Sequence, residues 1–288
     1  RKNKLGSLLQ IVPSFILIAV PFFLIFKQPD LGTSLVLVFV FSLMALWGGM
    51  RFSTLFLLAS PIFGILILYV FPFSPLISWS LYLVALFLFI YFSKVPRFDG
   101  VIYFLANVFS GLLSPLLWNS LRGYQQQRIL SFLNPALDPY ALGARYHATK
   151  SLTAIGSGGF FGNGLMKGPL THLQYIPEQH TDFIFSVIGE ELGFLGSLFV
   201  LGLFIFIVYR LISIAANANV TFGSQIVIGT GALIVFQAFT NIGMTLGILP
   251  VVGIPLTFVS YGGTSLVCSL AALGLVQSVV VHEKGVSF

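Results

Sequence analysis

Charge is scarce in this chain: 14 Lys and Arg and 8 Asp and Glu among 288 residues, 8% in all. A soluble globular domain carries about 25%, so this composition excludes a water-facing surface over most of the molecule. Cysteine is scarcer still. The single Cys268 lies inside an apolar run, so no intramolecular disulfide can form and the redox compartment is not encoded. No small-residue cleavage site follows the opening "RKNKLGSLLQIVPSFILIAVPFFLIF", whose basic flank therefore reads as the start of a spanning helix rather than a signal peptide. No fixed-period repeat and no GxGxxG or P-loop spacing occurs, which leaves a cytosolic nucleotide fold without support. A formal charge of +6 without a basic patch on a soluble fold argues against nucleic acid as a partner. Anionic lipid and the positive-inside bias account for it better.

What the chain has in quantity is apolar residues, 57% of the total, with 15% aromatics. About 20 apolar residues cross the hydrocarbon layer as a helix, and several such runs follow one another, too long for the strands of a membrane barrel. The fold class is all-α, a polytopic transmembrane bundle with a long folded extracytoplasmic loop. Hydropathy places eight spans at 8–26, 31–50, 53–71, 76–93, 98–118, 183–209, 222–248 and 256–281 within a single membrane domain, residues 1–288. "KQPDLG", "FPFSP" and "LPVVGIP" supply breakers between them. Under this topology Arg1, Lys2, Lys4, Arg51, Lys94, Arg97, Arg210 and Lys284 share one side and only Lys27 opposes them in a short loop. Both termini of the chain are then cytoplasmic and the segment 119–182 lies outside.

That outer segment is longer than a connection needs, and its aromatic and aliphatic content argues against disorder. It should fold back onto the bundle. It holds Arg122, Arg128, Arg145, Lys150 and Lys167, which call for an anionic partner. "AIGSGGFFGNG" brings Gly156, Gly158 and Gly159 together with Gly162 and Gly164, either as a flexible turn or as a concavity whose amides hold a phosphate. "PEQHTDFIFSVIGEELG" follows. Asp182 is either the N-cap of the next span, with Thr181 as the other option, or a general base at the mouth of a membrane cavity. Glu190 lies about 12 Å further along the same helix, on a face shared with Asp182, Ser186 and Gly193, where an acidic residue usually faces a cavity or partner. His180 reads as a structural hydrogen bonder or a proton relay. The last outer turn, "LPVVGIPLTFVSYGGTS", carries Ser260 and Tyr261 and should border the same site. Asn241 is an amide inside a span, suited to a helix-to-helix hydrogen bond or a cavity contact. Taken together, these residues have the parts of a group-transfer site for a phosphorylated lipid. A divalent cation, Mg or Mn, bridging a diphosphate to Asp182 or a glutamate is compatible with this chemistry, although no compact ligand motif demands one.

"QPDLGTS", "YQQQRILSFLNPALDP", "AIGSGGFFGNG", "PEQHTDFIFSVIGEELG" and "NIGMTLGILPVVGIPLTFVSYGGTS", in that order, resemble the blocks of the SEDS family of shape, elongation, division and sporulation proteins. "GARYHATKS" brings the chain closer to the RodA branch than to FtsW. The resemblance implies a peptidoglycan glycosyltransferase that polymerises lipid II outside the cytoplasmic membrane beside a class B penicillin-binding protein, with Asp182 of the HTDF block catalytic. It also implies earlier helices with a QPSE-type block, so the chain reads as N-terminally truncated, and it makes 53–93 an inserted helical hairpin. Asn163, Lys167 and Thr257 depart from the family pattern. A lipid-precursor flippase is the rival, since broken helices and an intramembrane acid suit transport too. A purely structural activator of a penicillin-binding protein ranks last, because the HTDF residues are present.

Overall fold

The computed structural model describes residues 8–28, 30–70, 74–93, 95–121, 123–133, 146–172 and 178–285. Among them lie eleven helices: α1 (Leu8–Lys27), α2 (Leu31–Trp47), α3 (Phe52–Val70), α4 (Pro75–Phe92), α5 (Arg97–Ser120), α6 (Gly123–Leu133), α7 (Tyr146–Ser157), α8 (Pro169–His172), α9 (Ile184–Asn217), α10 (Thr221–Thr245) and α11 (Gly263–Gly285). Each of the eight apolar stretches overlaps one of these helices. Five stretches meet the length and hydropathy of a membrane crossing: Pro75–Phe92, Arg97–Ser120, Ile184–Asn217, Thr221–Thr245 and Gly263–His282. Val12–Lys27, Gly32–Trp47 and Phe52–Leu68 are apolar but shorter.

The chain divides into two compact units, one ending at Pro21 and resuming over Ala45–Gln126, the other comprising Phe22–Met44 and Gln127 onward. In the first, α3, α4 and α5 pack together around Leu57, Leu86 and Tyr103. A polar cluster ties them. The fully buried Asn107 donates to Ser60 Oγ at 2.7 Å and to the Tyr103 carbonyl at 2.8 Å, and its Oδ1 lies 2.8 Å from the Tyr82 hydroxyl. Lipid tails offer no competing donors, so such bonds favour packed spans over separated ones. Within the segment 53–93, read above as an inserted hairpin, α3 and α4 pack on each other.

In the second unit α10 runs through the interior and packs on α9 and α11. Small residues along it, Gly223, Ser224, Gly231, Ala232 and Ala238, are all buried and let neighbouring backbones approach. From the long segment between α5 and α9, α7 folds onto α9 and α10. Ser151 donates to the Thr245 carbonyl at 2.7 Å, so in its 2.6 Å contact with Ser186 the proton comes from Ser186.

The glycine block is explained by a break in α9. Gly193 has φ 67° and ψ −162°, a conformation essentially confined to glycine. Breaking the helix there frees the carbonyls of Glu190 and Glu191 and the amides of Phe194 and Leu195. The glycine loop satisfies all four. Asn163 and Gly164 N–H donate to the Glu190 and Glu191 carbonyls, each at 3.0 Å, while Phe194 and Leu195 N–H donate to the Gly159 and Phe160 carbonyls at 3.0 and 3.3 Å. Irregular backbone at membrane depth is tolerated when protein re-satisfies it in this way. A Cβ at Gly158 would overlap the Gly189 carbonyl, and one at Gly162 the Glu191 carbonyl. The glycines therefore serve backbone-to-backbone contact. The N–H of Gly158 bonds to the Ala154 and Ile155 carbonyls and that of Gly159 to Gly156, so the phosphate nest expected of these glycines is corrected to a helix-break plug.

Glu190 is corrected as well. It is fully buried, and instead of lining a substrate cavity its carboxylate accepts the N–H groups of Leu170 at 2.8 Å and Thr171 at 2.9 Å, with Ser157 Oγ at 3.4 Å. It holds the first turn of α8. Glu190→Gln keeps one acceptor oxygen and sets an N–H against an amide, which should destabilise the protein by about 1–3 kcal/mol. A thermal melt of Glu190→Gln beside Glu191→Gln checks this, because the partly exposed Glu191 should tolerate the change.

Candidate active site

Asp182 sits in a tight turn, 178–183, just ahead of α9. The turn closes on one carbonyl: Thr181, Asp182 and Phe183 N–H all point at Glu178 O, at 3.2, 3.1 and 3.3 Å. Glu178 pays for this with a positive φ of 53°. The helix N-cap is Phe183, with no side-chain cap, so neither Thr181 nor Asp182 serves as the N-cap. Asp182 also lies outside the helix whose face it was expected to share with Glu190.

Three successive carbonyls of this turn are held from one side. Tyr261 N–H donates to His180 O at 2.8 Å, Ser260 Oγ to Thr181 O at 2.6 Å, and Asn241 Nδ2 to Asp182 O at 2.8 Å. Ser260 Oγ also accepts Leu256 N–H at 2.7 Å. Ser260 therefore fixes the backbone, and the Tyr261 ring is 80% exposed. The strap that supplies Ser260 and Tyr261 is irregular up to Gly263, where α11 begins, seven residues later than the apolar run suggested. Pro255 lacks an amide and Phe258 has φ 66°, so the run cannot start as a helix. The strap passes close under the acid: a Cβ at Gly253 would lie 3.1 Å from Asp182 Oδ2.

With the backbone held, the Asp182 carboxylate accepts no side-chain hydrogen bond among the described residues. Its pKa is raised above the ordinary value, first by burial and then by the Glu178 charge, with Arg128 opposing and Asp30 adding to the rise. Asp30 belongs to the "QPDLGTS" block and caps α2 through Thr33, accepting its N–H at 3.0 Å and its Oγ1 at 2.6 Å. Gly32, beside it, packs on Val252 and Ile254 of the strap. Blocks far apart in sequence thus converge on one carboxylate.

Of the cations, Arg128 on α6 donates to the Val251 carbonyl at 3.1 Å and is the positive charge felt at Asp182. It borders a cleft of about 150 Å³ whose lining includes Ser131, Thr149, Gly247, Pro250 and Val251. Lys150 stands over the Tyr146 ring at 5.7 Å, and Lys167 is exposed just after the glycine loop. Gly156 lies within α7. Arg145 lies outside the described residues. His147 was not anticipated. Its ring stacks on Phe183 with centroids 5.9 Å apart, and burial, then Arg128, lowers its pKa. The only sequence signal was an aromatic pair, Tyr146 and His147, at the start of an amphipathic helix.

The sequence matches the FTSW_RODA_SPOVE family of cell cycle proteins over residues 1–85 and 72–285. The chain belongs to that family. Peptidoglycan glycosyltransferase MrdB of Escherichia coli (strain K12) is 39% identical over 275 residues, covering 95% of this chain and 61% of MrdB. Peptidoglycan glycosyltransferase RodA of Treponema pallidum is 34% identical over 290 residues, 91% of this chain and 66% of that protein. The probable peptidoglycan glycosyltransferase FtsW of Trichlorobacter lovleyi is 44% identical over 161 residues, 56% of this chain and 42% of that protein. Among solved structures, a chain reported under "Structural coordination of polymerization and crosslinking by a peptidoglycan synthase complex" superposes with a TM-score of 0.61 at 25% identity, covering 99% of this chain and 65% of that one. The chain thus spans under two thirds of the length of these relatives. Its SEDS motifs mark membership of the FtsW/RodA family, and its fold is the polytopic helical one.

Proposed function

We propose that this chain is the catalytic part of a peptidoglycan glycosyltransferase that polymerises lipid II, with Asp182 as general base. The observation that carries the reading is the Asp182 carboxylate itself: its turn is held by donors to the carbonyls of residues 180, 181 and 182, its side chain accepts no hydrogen bond among the described residues, and burial raises its pKa. In the reaction Asp182 takes the proton of the acceptor sugar 4-hydroxyl as that oxygen attacks the anomeric carbon of the lipid-linked donor. The bond from anomeric carbon to diphosphate breaks, and undecaprenyl diphosphate leaves with the electron pair. One direct displacement inverts the anomeric carbon, and unlike glycosidases the site needs no second carboxylate to protonate the leaving group. Arg128, with Arg145, Lys150 and Lys167 of the same segment, stabilises the charge building on the diphosphate.

Among the described residues no group of three or more His, Cys, Asp or Glu side chains converges to hold a metal. A divalent cation would be held by one or two carboxylates, with substrate diphosphate oxygens completing its shell. The partner is a class B penicillin-binding protein that crosslinks the strands, a reading supported by the likeness to a chain of a peptidoglycan synthase complex. The protein sits in the bacterial cytoplasmic membrane with both ends of this chain inside and 119–182 outside.

Purified full-length protein with its transpeptidase partner, given lipid II in detergent where no leaflets exist, should build glycan strands. Lipid translocation in vesicles without polymerisation would instead support the flippase. The charges around Asp182 give a finer check. Glu178→Gln removes a negative neighbour, lowers the Asp182 pKa and should move the rising limb of the pH–rate profile to lower pH. Arg128→Gln should move it the other way.

A further inference from the structure

We propose that Asn241 is a positioning residue for this reaction, aiming the Asp182 carboxylate by clamping the two backbone segments that bracket it. The inference rests on the reading of Asp182 as general base. Asn241 lies within α10, the most buried of the long apolar helices, and is itself fully buried. Its single side-chain nitrogen carries two hydrogens, and both are used: one on the Asp182 carbonyl at 2.8 Å, the other on the Ile254 carbonyl at 2.8 Å. Ile254 follows Gly253, the residue whose Cα faces Asp182 Oδ2. The base's own backbone and the strap bordering its carboxylate are therefore referenced to one atom on one rigid helix. Ser260 and the Tyr261 N–H act on the two preceding residues, whereas Asn241 acts on residue 182 itself.

The chemistry selects asparagine. Two converging carbonyls need two donors on one uncharged atom at this reach. Serine or threonine has one hydrogen, aspartate sets a carboxylate against two carbonyl oxygens, and glutamine is one methylene too long. The arrangement carries a cost. Asn241 Oδ1 is buried and accepts no hydrogen bond among the described residues, a defect that packing alone would not retain. Local rules are broken where a site demands it.

A clamp of this kind acts on turnover rather than on substrate affinity, since a misplacement of about 1 Å in a reacting group costs about 100-fold in rate. The test uses the full-length protein with its transpeptidase partner and lipid II. Asn241→Ala should lower kcat by about 10- to 100-fold with KM within about twofold of the parent. Asn241→Ser, which keeps one donor, should fall between, and it decides the matter if the alanine variant does not fold. The double variant with Asp182→Asn should be no slower than Asp182→Asn alone, because Asn241 acts through Asp182. A folded Asn241→Ser or Asn241→Ala protein with parental kcat, a loss confined to KM, or full additivity in the double variant overturns the proposal. Failure of the base reading is distinguishable: there Asp182→Asn itself stays active, whatever Asn241 does.

Discussion

Asp182→Asn should slow glycan polymerisation by about 100- to 10,000-fold, the usual contribution of a positioned general base, while making the folded protein more heat-stable. The two effects have one origin. The folded-state pKa of Asp182 lies above its unfolded value, so the native state binds the proton more tightly than the unfolded chain does. Burial together with the Glu178 and Asp30 charges opposes ionisation of the group. Stability from this group is present at low pH and declines as pH rises through the folded pKa. A neutral amide of the same shape removes the opposition, and each kcal/mol relieved raises the melting temperature by about 2–4 °C. Melting curves and initial rates on the same preparation check both halves. An Asp182→Asn protein that is inactive and also destabilised would point to a structural aspartate instead.

Gly193→Ala should abolish the folded state. The added Cβ would overlap Gly162 N and crowd the backbone of Phe160 and Phe161, none of which is a flexible side-chain end. Its φ and ψ cost a non-glycine residue about 1–3 kcal/mol. Displacing the glycine loop then leaves the Glu190 and Glu191 carbonyls and the Phe194 and Leu195 amides without partners, at about 1–3 kcal/mol each. The sum approaches the whole stability of an ordinary domain. Gly202→Ala, at a helical position in α9 with nothing within 4 Å of the added carbon, is the control and should be neutral or slightly stabilising. Size-exclusion profiles of the two variants after detergent extraction should show no monodisperse peak for the first and a parental peak for the second. A well-folded Gly193→Ala protein would mean that the break in α9 is dispensable.

The helices were legible because membrane crossing depends on composition over a window, and windows are what a sequence displays. Asp182 was legible for a related reason. Where so few residues are charged, an acid at the edge of an apolar run stands out by its position alone. Gly193 was not, since a glycine in an apolar run looks ordinary until the loop some thirty residues upstream is seen to satisfy the backbone it frees. The same long-range pairing hid the purpose of Gly158 and Gly162, whose density suggested an anion nest, and of Glu190, whose partners are amides of α8 that no pattern marks. The start of α11 failed differently. "GIPLTFVSYGG" is apolar enough for a helix, but Pro255 and the positive φ at Phe258 hold it irregular so that Ser260 and Tyr261 can reach the Asp182 turn. His147 carried almost no signal, because its place beside Phe183 is set by how α7 packs.

The most direct measurement is the rate of glycan polymerisation from lipid II as a function of pH, for the full-length protein with its partner and for Asp182→Asn at matched folded concentration. General-base action by Asp182 predicts a parental rate that rises through an apparent pKa above the ordinary aspartate value, and a variant at least about 100-fold slower without that limb. A variant that keeps both the parental rate and the parental limb would contradict it.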